Sequence, residues 1–197
     1  MKIKSIQGLL ASNTFIVTDN DKVLIIDAGA PLADVQSALD GRKPDAIFLT
    51  HEHFDHIAHI ADYCLAFYCP VYCHSATIDE LKINKFNRLF AKYGGNVKIP
   101  TTFHNFKTNI DFPKVTALPC PGHSAGSLCF LVGDALFTGD VLFANTIGRT
   151  DLMPNGPALM QRTLRKLQDV KFTTAHHGHG KDSSYTQQQK NIAKHIE

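Results

Sequence analysis

The sequence predicts an α/β protein in which two sheets pack face to face with helices outside them. Three observations predict this. Strand-like and helix-like segments alternate along the chain, the alternation occurs in two similar halves, and no linker or low-complexity stretch divides them. The expected organisation is a single domain over residues 1–197, long enough to bury a sizeable core.

Taken in order, KIKSIQ, NTFIVT and KVLIIDAG read as strands, the last two separated by the turn-like DNDK. ADVQSALDG has helical spacing, with Val35, Ala38 and Leu39 apolar and Gly41 as its stop. DAIFLT is an apolar run of strand length. From Phe54, FDHIAHIADYCLAF returns to helical periodicity, and Ile57, Ile60 and Leu65 are expected on one side of it. CPVYCH reads as the next strand and TIDELKINKFNRLFAKYGG as a helix ending at Gly94. The second half supplies the strands TTFHNF, VTALPC, SLCFLVG and ALFTGD and the helix GPALMQRTLRKLQD. After these come a last strand, VKFTTA, before HHGHG, and a closing helix in SYTQQQKNIAKHI.

Composition narrows the function. Apolar residues at 44% and charged residues at 19% are those of an ordinary globular protein. A net charge of +2 without a basic block argues against nucleic acid as a partner. The opening MKIKSIQGLLASNTF has no long apolar stretch of the signal-peptide kind, and no apolar run approaches a membrane span. The expectation is a cytoplasmic protein acting on a small molecule; nothing here sets the oligomeric state. Five cysteines, an odd number with no CxxC pair, argue against a disulfide framework. In YCPVYCH, Val71 and Cys73 alternate as buried strand residues, with cysteine serving as a small hydrophobe.

The densest chemistry lies in THEHFDH, residues 50–56, directly after the apolar run. In an extended segment, side chains two apart point the same way, so His51 and His53 can offer two imidazoles to one metal. Asp55 and His56 fall at the start of the following helix and form a second, displaced half-site. Zinc takes about four ligands, so more must come from elsewhere. Three candidates stand at strand ends: His123 in PGHSAG, Asp140 in FTGD and His179 in the glycine-flanked HGHG. The expected centre has His51, His53 and His123 on one ion and Asp55, His56 and His179 on the other. Asp140 stands between the two. Taken singly, Asp55 reads as a helix cap and Asp140 as a turn residue; it is their ordered combination that points to metal. Glu52 points away from His51 and His53. His176 and His177 support the centre from behind it, His59 faces solvent, and His74, His104 and His195 are structural or surface residues.

THEHFDH, PGHSAG, GDVLF and GHG together resemble the ordered motifs of the metallo-β-lactamase superfamily, over nearly the whole chain. Within it, GDVLFANTIGRTD and the full ligand set most resemble the short form of the glyoxalase II (hydroxyacylglutathione hydrolase) branch. The resemblance implies a four-layer αββα sandwich with the site at one edge of the sheets. It implies two divalent metal ions, zinc foremost, with iron or manganese as alternatives on nitrogen and oxygen ligands. It further implies a metallohydrolase that attacks a thioester with a metal-bridging hydroxide, Asp55 handling the proton. Arg149 occupies the place of the family's cation for a glutathione carboxylate; a salt bridge with Asp151 is the competing reading. Where the family carries a glutathione-contacting tyrosine, this chain has Asp151, and its C-terminal helical region is expected to be absent. GRTD also resembles persulfide dioxygenases, whose single iron would sit on His51, His123 and Asp140. A lactonase or phosphodiesterase on the same scaffold is a further alternative. A non-catalytic metal-binding protein would have no need of Asp55 or Asp140.

Overall fold

The computed structural model of the chain describes residues 1–83, 102–106, 112 and 114–196. They fall into two compact units, Met1–Lys107 and Thr108–Glu197.

The first unit is built on strands β1 (Lys2–Gln7), β2 (Asn13–Asp19), β3 (Lys22–Ile26), β4 (Ala46–Phe48), β5 (Val71–Cys73) and β6 (His104–Asn105), hydrogen-bonded in that order. β1, β2 and β3 pair antiparallel, and β3 to β6 pair parallel. All of β3 after Lys22 is buried, as its unbroken apolar run requires of a central strand. Val23 and Ile25 share a core with Val35 and Leu39 of α1 (Leu32–Leu39) and with Ile60 and Tyr63 of α3 (Ile60–Phe67). α1 ends on Asp40 in the left-handed region, followed by Gly41 at φ 77°, the expected stop.

Three expectations need correction here. The helix from Phe54 is two helices, α2 (Phe54–Ile57) and α3, interrupted at Ala58 and His59. The backbone of residue 28 causes the interruption: Ala28 N–H donates to the His56 carbonyl at 2.7 Å, and His59 N–H donates to the Ala28 carbonyl at 2.9 Å. Leu65 is 69% exposed rather than aligned with Ile57 and Ile60. Five residues beyond Ile60, it lies about 140° around the helix, and Tyr63 fills the buried position, donating its hydroxyl to the Ala30 carbonyl at 2.6 Å. The strand in TTFHNF shrinks to β6, because its partner β5 offers only three residues. α4 spans Ser75–Ile83, and the rest of the helix expected to Gly94 lies outside the described residues.

The second unit holds β7 (Val115–Pro119), β8 (Leu128–Val132), β9 (Ala135–Gly139), β10 (Thr174–His177) and β11 (Ser183–Ser184), in the sheet order β11-β10-β9-β8-β7. Only β9 and β10 pair parallel. α5 (Gly156–Gln168) buries Met160, Thr163, Leu164 and Leu167, one helical stripe, and its apolar members share a core with Leu136, Ala175 and Ile192 of α6 (Tyr185–Ala193). The expected strand VKFTTA starts later, at Thr174, and runs on through His176 and His177. Its parallel partner β9 begins only at Ala135, after the β8–β9 turn, so no ladder is available earlier. Among the described residues no helix is long and apolar enough to cross a membrane. All five cysteines are free thiols.

Candidate metal centre

Groups able to hold a metal occur in both units. In the first, the strand β4 delivers the chain to Thr50, and residues 51–53 run extended into α2. The His51 ring centroid lies 4.5 Å from that of His53, as their spacing predicts, and 4.4 Å from that of His56, which comes from the start of α2. Glu52 does point elsewhere, accepting a hydrogen bond from the Thr77 hydroxyl at 3.1 Å. Asp55 sits within the first turn of α2 and is not its cap, since His53 holds that position. Its Oδ2 stands 3.7 Å from His56 Nε2.

Behind these groups lies Asp27, a residue that sequence reasoning passed over. It follows β3 at φ 63°, a backbone region that an aspartate tolerates better than most residues, and is 1% exposed. Its carboxylate accepts the Thr50 N–H at 2.7 Å, the Thr50 hydroxyl at 2.8 Å and His56 Nδ1–H at 2.8 Å. The Thr50 hydroxyl has one proton and gives it to Asp27, so at 2.9 Å from His51 Nδ1 it must accept. Both His51 and His56 are thereby held as Nδ1–H tautomers with the Nε2 lone pair as the coordinating one. A carboxylate directly after an apolar strand, the signal that singled out Asp140, was present at Asp27 too.

The second unit repeats the device. His123 Nδ1–H donates to the Arg149 carbonyl at 3.0 Å, and a carbonyl only accepts, so its Nε2 also carries the lone pair. That Nε2 lies 3.6 Å from Asp140 Oδ2, and His179 Nε2 lies 3.6 Å from the same oxygen. These spacings exceed hydrogen-bond range. Two ligands about 2.1 Å from one ion at a tetrahedral angle stand about 3.4 Å apart. The 3.6 and 3.7 Å separations therefore suit donors around a shared cation, and the donor set fits a divalent metal. Gly178 N–H, bonded to the Gly139 carbonyl at 2.9 Å, ties the His179 loop to the strand end that carries Asp140.

His177, next to this loop in the chain, ties β9 to β11. It is fully buried, with Nδ1 2.9 Å from the Thr138 hydroxyl and Nε2 2.8 Å from Ser183 Oγ, which in turn accepts from Gln188 at 2.9 Å. Burial pushes its pKa down to about 4, so it is a neutral structural strut. His176 pairs with Asp182 at 3.0 Å and stacks on Phe137. His59 is half-buried and meets Asp62 at 3.4 Å. His74 accepts the Ala76 N–H at 3.1 Å, while His195 Nδ1 bonds the Asn191 carbonyl at 2.8 Å and His104 lies against Tyr72, all structural or surface roles. The Arg149 side chain forms the alternative salt bridge, its Nε and Nη2 donating to Asp151 at 2.8 and 2.6 Å.

The sequence profile of the metallo-beta-lactamase superfamily matches residues 7–184. The "Probable metallo-hydrolase YqgX" of Bacillus subtilis is 32% identical over 92% of this chain and 91% of its own length. A hydroxyacylglutathione hydrolase of Enterobacter is 31% identical over 81% of this chain, which spans 57% of that longer protein. Among solved structures, TTHA1623 in a di-iron-bound form superposes with a TM-score of 0.83 at 26% identity, covering 99% of this chain and 98% of that one. The B3 metallo-beta-lactamase BLEG-1 superposes equally well, at 0.83 and 26% identity, covering 96% and 97%. The fold is thus the metallo-β-lactamase fold, two mixed sheets flanked by helices. The ordered histidine and aspartate motifs, their tautomer-fixing partners and these likenesses converge: the chain belongs to the metallo-β-lactamase superfamily, as a metal-dependent hydrolase.

Proposed function

We propose that the protein is a thioesterase of the hydroxyacylglutathione hydrolase type working at a centre of two divalent ions, zinc foremost. In this reading residues 1–197 act as one catalytic domain. His51, His53 and His123 would hold one ion and Asp55, His56 and His179 the other, with Asp140 available to both. The observation that carries the reading is the place of Asp140 Oδ2, equidistant at 3.6 Å from His123 Nε2 and His179 Nε2, a residue of each proposed set. The hydroxyacylglutathione hydrolase among the relatives supports the thioester.

When bound, such a pair of ions supplies a hydroxide nucleophile at neutral pH and a Lewis acid for charge developing on the carbonyl oxygen. The protein's own part is orientation and proton traffic. Asp27, Thr50 and the Arg149 carbonyl hold the imidazoles in one tautomer. Asp55 takes the proton of the attacking water on a carboxylate oxygen and passes it to the departing thiolate. Arg149 is the group a carboxylate on the substrate's thiol carrier would meet, on displacing Asp151 from its Nε and Nη2 donors. The thiols make poor nucleophiles: burial pushes those of Cys69 and Cys73 up to about 12 and that of Cys129 well above its ordinary value. The substrate is a small molecule and the compartment the cytoplasm.

His179→Ala separates this from a persulfide dioxygenase, whose single iron would not use His179. Wild type is expected to bind about two ions per chain and hydrolyse S-lactoylglutathione, and the variant to hold about one and lose nearly all turnover. Oxygen uptake with glutathione persulfide by the iron-loaded protein, surviving in the variant, would install the dioxygenase instead.

A further inference from the structure

We propose that Asp151 sets the charge preference of the site by occupying Arg149, so that thioesters of uncharged thiol carriers are favoured over carboxylate-bearing ones. This rests on the thioesterase reading above. The Arg149 Nε and Nη2 donors meet Asp151 Oδ1 and Oδ2 at 2.8 and 2.6 Å, a parallel fork that an incoming carboxylate would have to reproduce. Asp151 therefore imitates the ligand that Arg149 would otherwise bind.

The fork stands beside the proposed centre. The carbonyl of Arg149 is the group that fixes the His123 ring, at 3.0 Å. Gly148, one residue earlier, is pressed so close to the Asp140 carbonyl that a Cβ there would lie 1.7 Å from its oxygen. The Asp151 carboxyl is held down to about 2, chiefly by its hydrogen bonds from Arg149.

Two physical consequences follow. A competitor tethered two residues away acts at an effective concentration of about millimolar or more, which a free carboxylate must outmatch. The fork also carries no net charge, so the cation no longer draws anions towards the loop. Both side chains are largely exposed, at 62% and 66%, and exposed pairs add little to folding stability. Asp151 can thus be changed without unfolding the chain.

The test compares wild type, Asp151→Asn and the double variant Arg149→Gln/Asp151→Asn on two thioesters, S-lactoylglutathione and the uncharged S-lactoyl-N-acetylcysteamine. The ratio of kcat/KM for the first over the second cancels any difference in active fraction. It is expected to rise about three- to fivefold in Asp151→Asn and to return towards wild type in the double variant. An unchanged ratio, or a rise that persists without Arg149, overturns the proposal. Calorimetry with S-methylglutathione gives a readout independent of turnover. Tighter binding by Asp151→Asn than by wild type supports the proposal, and equal binding overturns it. Failure of wild type to hydrolyse either thioester counts against the thioesterase reading alone.

Discussion

Asp27 shows how much of this site depends on groups that never face the reaction. Its carboxylate accepts three hydrogen bonds, one of them from His56 and two from Thr50, the residue that in turn accepts from His51. An amide in its place keeps the size but turns one acceptor into a donor, facing groups that are themselves donors. Asp27→Asn is therefore expected to weaken metal binding by about 10- to 100-fold, the usual effect of losing a partner behind a ligating histidine. A competition titration against a chromophoric chelator measures it. Unchanged affinity would mean that the tautomers of His51 and His56 are set some other way.

Strands and helices bring such residues to the same place through close backbone approach. Gly148 packs so tightly against the carbonyl after β9 that a Cβ would sit 1.7 Å from the Asp140 oxygen and 3.3 Å from His123 Nδ1. Gly148→Ala must push the loop away from both residues. A loss of about 1–3 kcal/mol in stability is expected, typical of overpacking, together with a fall in bound metal measured by elemental analysis. Gly41→Ala is the control. Its Cβ meets nothing within 4 Å, but φ is 77°, so it should cost about 1–2 kcal/mol of backbone strain and leave metal content alone.

For the molecule as a whole, the buried imidazoles and carboxylates carry a cost that a cation would relieve. His51, His53, Asp55, His56 and His123 are all buried, and polar groups so withdrawn from water need strong partners. A ligand that binds the folded state alone raises its stability by RT ln(1 + c/Kd), which grows with the logarithm of its free concentration c above Kd. Adding a chelator is expected to lower the melting temperature of metal-loaded protein by several degrees, about 2–4 °C for each kcal/mol lost. Reductant should leave it unchanged, because all five cysteines are thiols. A melting temperature indifferent to chelator, with metal shown to be removed, would refute a stabilising centre.

The sequence by itself determined the class of fold, most of the strands and helices, and the motifs that carry the metal-binding groups. Those features are written locally: the apolar run of β3, the period of α5 and the two-residue spacing of His51 and His53 need no distant partner to be read. Tertiary structure decided what depends on distant partners. The break between α2 and α3 exists because the Ala28 backbone claims the bonds of His56 and His59. β10 starts at Thr174 because β9 starts at Ala135. Asp27 acquires its role from Thr50 and His56, 23 and 29 residues further along the chain. For Arg149, two residues from Asp151, the sequence offered both a substrate carboxylate and a salt bridge, and the folded loop closed the fork on Asp151. Local patterns specify which chemistry is available, whereas the partner that orients each group is chosen by a chain path that only packing of the whole fold can settle.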